Sequence, residues 1–281
     1  MKRIVVLLLF ACCVLQELVA QRYGKFAEEL INYQSKAELK KQRGKLGLKA
    51  CWIDSSTFNM QEYLSIFSAL RPKEGYVVEC VYFFTNYEGM PMFYGREAQY
   101  SRDSFVMMLR EKHKERVGIV RIGYADEDWR YLSGYAFDEK RKNKGASYYF
   151  VPSDTKMGYF QLLMFYLYGD AFALWWHALE LARFLIYERE QIESLIQRNR
   201  NEDFMVCFEE DKIRPLLKCS LEPQVKMKKT HCEIIIYEFH HSHPRYGGVH
   251  KNTYSISRTE PYQIILQHSE KLVSNEIRGM F

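Results

Sequence analysis

Histidine carries the plainest chemistry in this chain, and four of the eight, His240, His241, His243 and His250, fall within YEFHHSHPRYGGVH, Tyr237 to His250. Imidazole is a common zinc ligand and the side chain that changes charge near neutral pH. The runs CEIIIYEFHH and VHKNTYSISR flank a loop from Ser242 to Gly248, whose Pro244 and paired glycines suit a β-hairpin. Pairing about that loop sets His240 across from His250 and Glu238 across from Asn252, to within a residue or two. A slip of one residue flips the face and puts His241 beside His250 instead. Opposed side chains on neighbouring strands have Cβ atoms about 5 Å apart, near enough for two imidazoles to share one ion. Glu238 or His243 completes such a set, zinc being the metal it suits. Hydrolysis there also requires a water on an open coordination position and a base beside it. Against the metal stands a plain hairpin carrying imidazoles, because no His-x-x-x-His helix or other spacing of known mechanism is present.

Two further constellations contain the right atoms. Cys51 in KACWIDSS lacks the surroundings of a papain-like thiol, so a buried or disulfide-bonded cysteine is the reading it favours. Trp175, Trp176 and His177 fall on one helix, where they offer a sugar-stacking surface or simply core. Adjacent helical residues point about 100 degrees apart, which argues against one flat platform. The chain has no phosphate-cradling glycine loop, no Gly-x-Ser-x-Gly elbow and no Ser-x-x-Lys set.

The elements that must position these residues follow from pattern. A helix is predicted over Lys25 to Lys41. Another starts at Asn59, with Glu62 placed for a capping box and Phe58 and Tyr63 for a hydrophobic staple, and runs to Arg71 before Pro72. Tyr76 to Thr85 reads as a strand buried on both faces, and Asp103 to Glu115 as a helix. VGIVRIGY, WRYLSGYAF and Tyr148 to Val151 read as strands. Met157 to Glu190 is nearly all apolar but broken at Gly169-Asp170, which predicts two consecutive central helices, the second continuing in charged form to Arg200, rather than a membrane span. From Asp203 onward six short strands are predicted: Phe204 to Phe208, Leu216 to Cys219, Val225 to Lys229, His231 to His241, Val249 to Ser257 and Tyr262 to His268.

The address comes from the first twenty residues. Lys2 and Arg3, the apolar run Ile4 to Leu15 and Leu18-Val19-Ala20 have the form of a cleaved secretory signal, with a lipid anchor at Cys12 as the alternative. Cys51, Cys80, Cys207, Cys219 and Cys232 remain in the mature chain, an odd number that allows up to two disulfides. A formal net charge of +5 is too mild for a nucleic-acid partner. Apolar and charged fractions of 47% and 27% are those of a folded protein.

The resulting expectation is a secreted or periplasmic α+β protein. It has a mixed N-terminal part with a central apolar helical pair over residues 21–202, and a C-terminal antiparallel β-sheet over residues 203–281 that is a second domain or a lobe of the first. A binding or interaction module for a glycan or an envelope protein fits the 21 Tyr and 18 Phe and the missing catalytic motifs. A metal-dependent hydrolase built on Glu238, His240, His241, His243 and His250 is the alternative.

Overall fold

The computed structural model describes residues 22–37, 42–43, 51–52, 58–84, 88–104, 121–123, 130–131, 146–169, 183–200, 206–240, 247–274 and 276–277. They form a mixed α+β fold with a C-terminal antiparallel sheet. Two compact units divide them: one takes residues 32–182 and 258–262, the other residues 22–31, 183–257 and 263–277. Helix α1, residues 22–37, contributes to both.

In the first unit, β1 (Gln42–Arg43), β2 (Cys51–Trp52), β4 (Tyr76–Phe84), β5 (Glu88–Glu97), β6 (Arg121–Gly123) and β7 (Arg130–Tyr131) make a six-stranded sheet in the order β1-β2-β5-β4-β6-β7. Helix α2 (Met60–Ile66) starts as predicted, with Asn59 Oδ1 accepting from the backbone N–H of Gln61 and Glu62. The return half of the predicted capping box is replaced: the Asn59 N–H donates to the Tyr33 hydroxyl at 3.2 Å. The staple forms, with the Phe58 and Tyr63 rings 5.3 Å apart. The helix ends at Ile66, short of Arg71, because Leu70–Pro72 is drawn into strand β3, paired with β8 (Phe150–Pro152). Val77 is 38% exposed, so β4 is not buried on both faces at its start.

Helix α3 (Lys156–Tyr168) is the first member of the predicted apolar pair and buries side chains all around its circumference, among them Phe160, Leu162, Leu163 and Met164. Aromatic rings from three other segments meet against it: Phe165 lies 5.0 Å from Phe67, 5.5 Å from Phe93 and 4.6 Å from Phe150. Polar tips in this core are satisfied internally. Gln34 donates to the Tyr63 hydroxyl and to the Tyr168 carbonyl, and the Tyr63 hydroxyl donates to the Gly169 carbonyl at 2.8 Å.

The second helix of the pair was expected to run from Asp170 through Arg200. Residues 170–182 lie outside the described residues, and Arg183–Ile186 form strand β9, paired with the end of β12 (His231–His240). Phe184, Leu185 and Ile186 suit a strand, and the open edge of β12 supplies the ladder a lone helix would not. Helix α4 (Arg189–Asn199) follows, its Gln191 amide taking the Tyr187 and Glu188 N–H groups and donating to the Leu185 carbonyl. Then come β10 (Val206–Cys207), α5 (Glu210–Ile213) and a 3-10 turn, Arg214–Lys218, in place of the predicted strand Leu216 to Cys219. Pro215, which has no N–H for a ladder, opens that turn.

Strands β11 (Gln224–Met227), β12, β13 (Gly248–Ser257) and β14 (Ile264–Ser274) build the C-terminal sheet in that order, with β9 sharing the outer edge of β12 with β11. The last pair is β10 with β15 (Glu276–Ile277). Tyr237, Phe239, Val249 and Val273 face one way and form a core with Ile192, Leu195 and Ile196 of α4, Ile213 of α5 and Leu216. The other predictions in the first unit fall partly outside the described residues: of Asp103 to Glu115 only residues up to 104 are described, and of WRYLSGYAF only Arg130 and Tyr131.

Asn199 ties α4 to the segment after it, donating to the Phe208 carbonyl and accepting the Phe208 N–H, both at 2.9 Å and both buried. An Asn199→Ala variant leaves two buried backbone groups without those partners, and its urea midpoint is expected to fall by the equivalent of about 2 kcal/mol with an unchanged slope.

Candidate functional site

The histidine hairpin forms, with a register two residues from the one centred on His240 and His250. Glu238 pairs with His250, Ile236 with Asn252, and His240 with Gly248. The shift keeps the face: His240, and not its neighbour, shares a side with His250, because pairing period is two. Gly248 is required at this end of the hairpin. Its φ is +123°, and a Cβ there would stand 1.9 Å from the Val273 carbonyl oxygen. His241 and His243 lie outside the described residues, as do Trp175, Trp176 and His177.

Alternation along β12 therefore sorts its residues cleanly. Cys232, Ile234, Ile236 and Glu238 occupy the face opposite the α4 core, each 0% exposed. A carboxylate so placed needs hydrogen bonds to offset its lost hydration. It receives them from β13: the Asn252 amide nitrogen and the Tyr254 hydroxyl both donate to Glu238 Oε2, the latter at 3.1 Å. His250, 8% exposed, is the cross-strand neighbour of Glu238. Its ring stacks on His240 with centroids 4.5 Å apart and planes 22° from parallel. From the far side, β14 pairs Lys271 with His250 and Ser269 with Asn252, and the Ser269 hydroxyl oxygen lies 3.4 Å from His250 Nδ1. Arg183 of β9 pairs with His240.

This is a row of ionisable groups on one sheet face: buried acid, two stacked imidazoles, and a hydroxyl and a cation on the outermost strand. Lone pairs lie in the imidazole planes, so in two stacked rings they run nearly parallel instead of converging on one point. Among the described residues no three His, Cys, Asp or Glu side chains are grouped to hold a metal ion. Tyr254 escaped the sequence reading although it continues the His250 alternation, and Asn252 entered it only as the expected cross-strand partner of Glu238, not as a donor to its carboxylate. Ser269, Lys271 and Arg183 enter only through pairings with β14 and β9. Cys219 is exposed and Cys232 buried, and the two are not joined in a disulfide; the side chains of Cys51, Cys80 and Cys207 lie outside those described.

Burial pushes the His240 pKa down to about 4; the Glu238 charge opposes that shift, and positive charge on His250, Arg183 and Lys271 adds to it. The unfolded chain thus binds a proton at His240 at a higher pH than the folded one. Stability from this residue is complete above about pH 6.5 and is lost as the pH falls toward about 4. The melting temperature is expected to drop across that interval, and a His240→Phe variant, neutral throughout, is expected to show a shallower drop.

No protein-family model matches the chain, and no match emerges among curated proteins or among solved structures, so the site is defined by its own geometry.

Proposed function

We propose that the protein is an exported binding module that takes an extended segment of another protein onto the outer edge of β14. The carrying observation is the character of that strand. It is eleven residues long and, among the described residues, its only strand partner is β13. Residues 265–271 are exposed without interruption, with Ile265 at 42% and Leu266 at 48%. The ladder to β13 is irregular between Val249 and His250 and between Thr253 and Tyr254, but β14 is long and carries no proline, and open N–H and C=O groups beside apolar side chains recruit other chains. Strand addition uses those groups for affinity and alternate side-chain pockets for specificity.

The leader-like first twenty residues support an exported setting, where the partner is another envelope or secreted protein. Among the described residues no helix is long and apolar enough to cross a membrane. The hydrolase reading with zinc finds less support, since the two imidazoles that meet are stacked.

A displayed library of extended peptides tests this. Bound peptides are expected to carry alternating apolar residues, to slow amide exchange along residues 264–274, and to lose affinity about tenfold or more in an Ile265→Lys/Leu266→Lys variant. Peptides that bind without protecting β14, or a library that yields none, would exclude the reading.

A further inference from the structure

The row on the sheet face has an order that the binding reading leaves unused. Ser269 is exposed on the outermost strand, His250 on the next strand is nearly buried, and Glu238 on the strand beyond is fully buried. Ser269 and Glu238 thus flank the imidazole from its two neighbouring strands, with the serine oxygen 3.4 Å from Nδ1 and the acid directly cross-strand. A hydroxyl nucleophile needs a base within reach, and the base needs an acid that orients it and stabilises its charged form. Accessibility should fall in the same order, since substrate must reach the hydroxyl and water should not compete for the acid.

We propose that Ser269 is the nucleophile of an acyl-transfer site acting on carboxylic esters, with His250 as general base and Glu238 as its positioning residue. The tautomer protonated on Nε2 leaves Nδ1 to accept from the serine. Ser269 Oγ attacks the ester carbonyl carbon while its proton passes to Nδ1. The tetrahedral intermediate expels the alcohol, which takes that proton from Nδ1 as its C–O bond breaks, leaving an acyl-serine. Water then attacks the acyl carbon, again through His250, and the carboxylic acid departs as Ser269 regains its proton. A separation of 3.4 Å suits a pair that tightens when substrate arrives. Lys271, two residues along β14 and cross-strand from His250, is the cation placed to steady the carbonyl oxygen as it becomes negative. His240 stacks against His250 and restricts the ring's rotation.

Diisopropyl fluorophosphate, applied to the purified full-length chain with peptide mapping by mass spectrometry, tests the assignment. One adduct on Ser269 is expected, absent in Ser269→Ala and formed about 100-fold more slowly in His250→Gln. The labelling rate of the unaltered protein should rise with pH through one imidazole ionisation. Glu238→Gln, by removing a negative charge beside the ring, should move that rise to lower pH. No adduct at Ser269 on the folded chain, a rate independent of pH, or an equal rate in folded His250→Gln would overturn the proposal; an unmoved pH profile in folded Glu238→Gln would remove the acid from it.

Discussion

The carboxyl group of Glu238 has no exposed surface, and it is held on β12 by an amide and a hydroxyl from β13, Asn252 and Tyr254. That arrangement ties the register of the sheet to electrostatics. Shifting β12 by one residue would carry the carboxylate onto the face where Tyr237 and Phe239 pack against α4, with no donor among those apolar side chains, and would send the two aromatics the other way. An unpaired buried charge costs several kcal/mol, more than a ladder loses by slipping a step, so one register wins. The same register brings His250 opposite the acid and His240 against His250. Gly248 then allows the close pass of β13 over the Val273 carbonyl.

The other unit solves its packing differently. Its core is built from rings, with Phe58, Tyr63, Phe67, Phe93, Phe150 and Phe165 in mutual contact. Tyr63 shows how such a core keeps a polar atom: its hydroxyl is placed between the Gln34 amide and the Gly169 carbonyl, so burial leaves no hydrogen-bonding group stranded. Part of the aromatic content of the sequence goes into this interior, where the rings serve as core. Among the described residues, Ile265 and Leu266 of β14 are exposed apolar side chains, as are Tyr100, Tyr166 and Phe184 elsewhere.

Strand β14 joins the two functional readings. Its backbone edge is what strand addition would use, and its side chains Ser269 and Lys271 stand at the rim of the acid–imidazole row. A segment lying along that edge passes within a strand's width of the serine, about 5 Å. Binding an extended chain and reacting with an ester carried on it are therefore compatible uses of one strand.

Much of this was legible without coordinates. The Asn59 cap and its Phe58–Tyr63 staple depend on neighbours within one helical turn, and both stand as spaced. The C-terminal strands are recognisable because alternation of apolar and polar residues records a face directly, and for the same reason one of His240 and His241 had to share a side with His250, while only the register decided that it is His240. Where the pattern misled, a distant partner had intervened. Leu70–Pro72 left the helix for Phe150–Pro152, and Arg183–Ile186 left an apolar helical run for the edge of β12.

By itself, then, the sequence determined the class of the fold, the existence of the hairpin and which residue types could do chemistry at its tip. Local periodicity and caps encode those, since each involves residues a few positions apart. Tertiary structure decided that Glu238 faces His250, that Ser269 reaches it from β14, and that β14 is an edge among the described residues. Those are facts about ladders between strands, where a step of one or two residues changes every partner while leaving the alternation almost untouched.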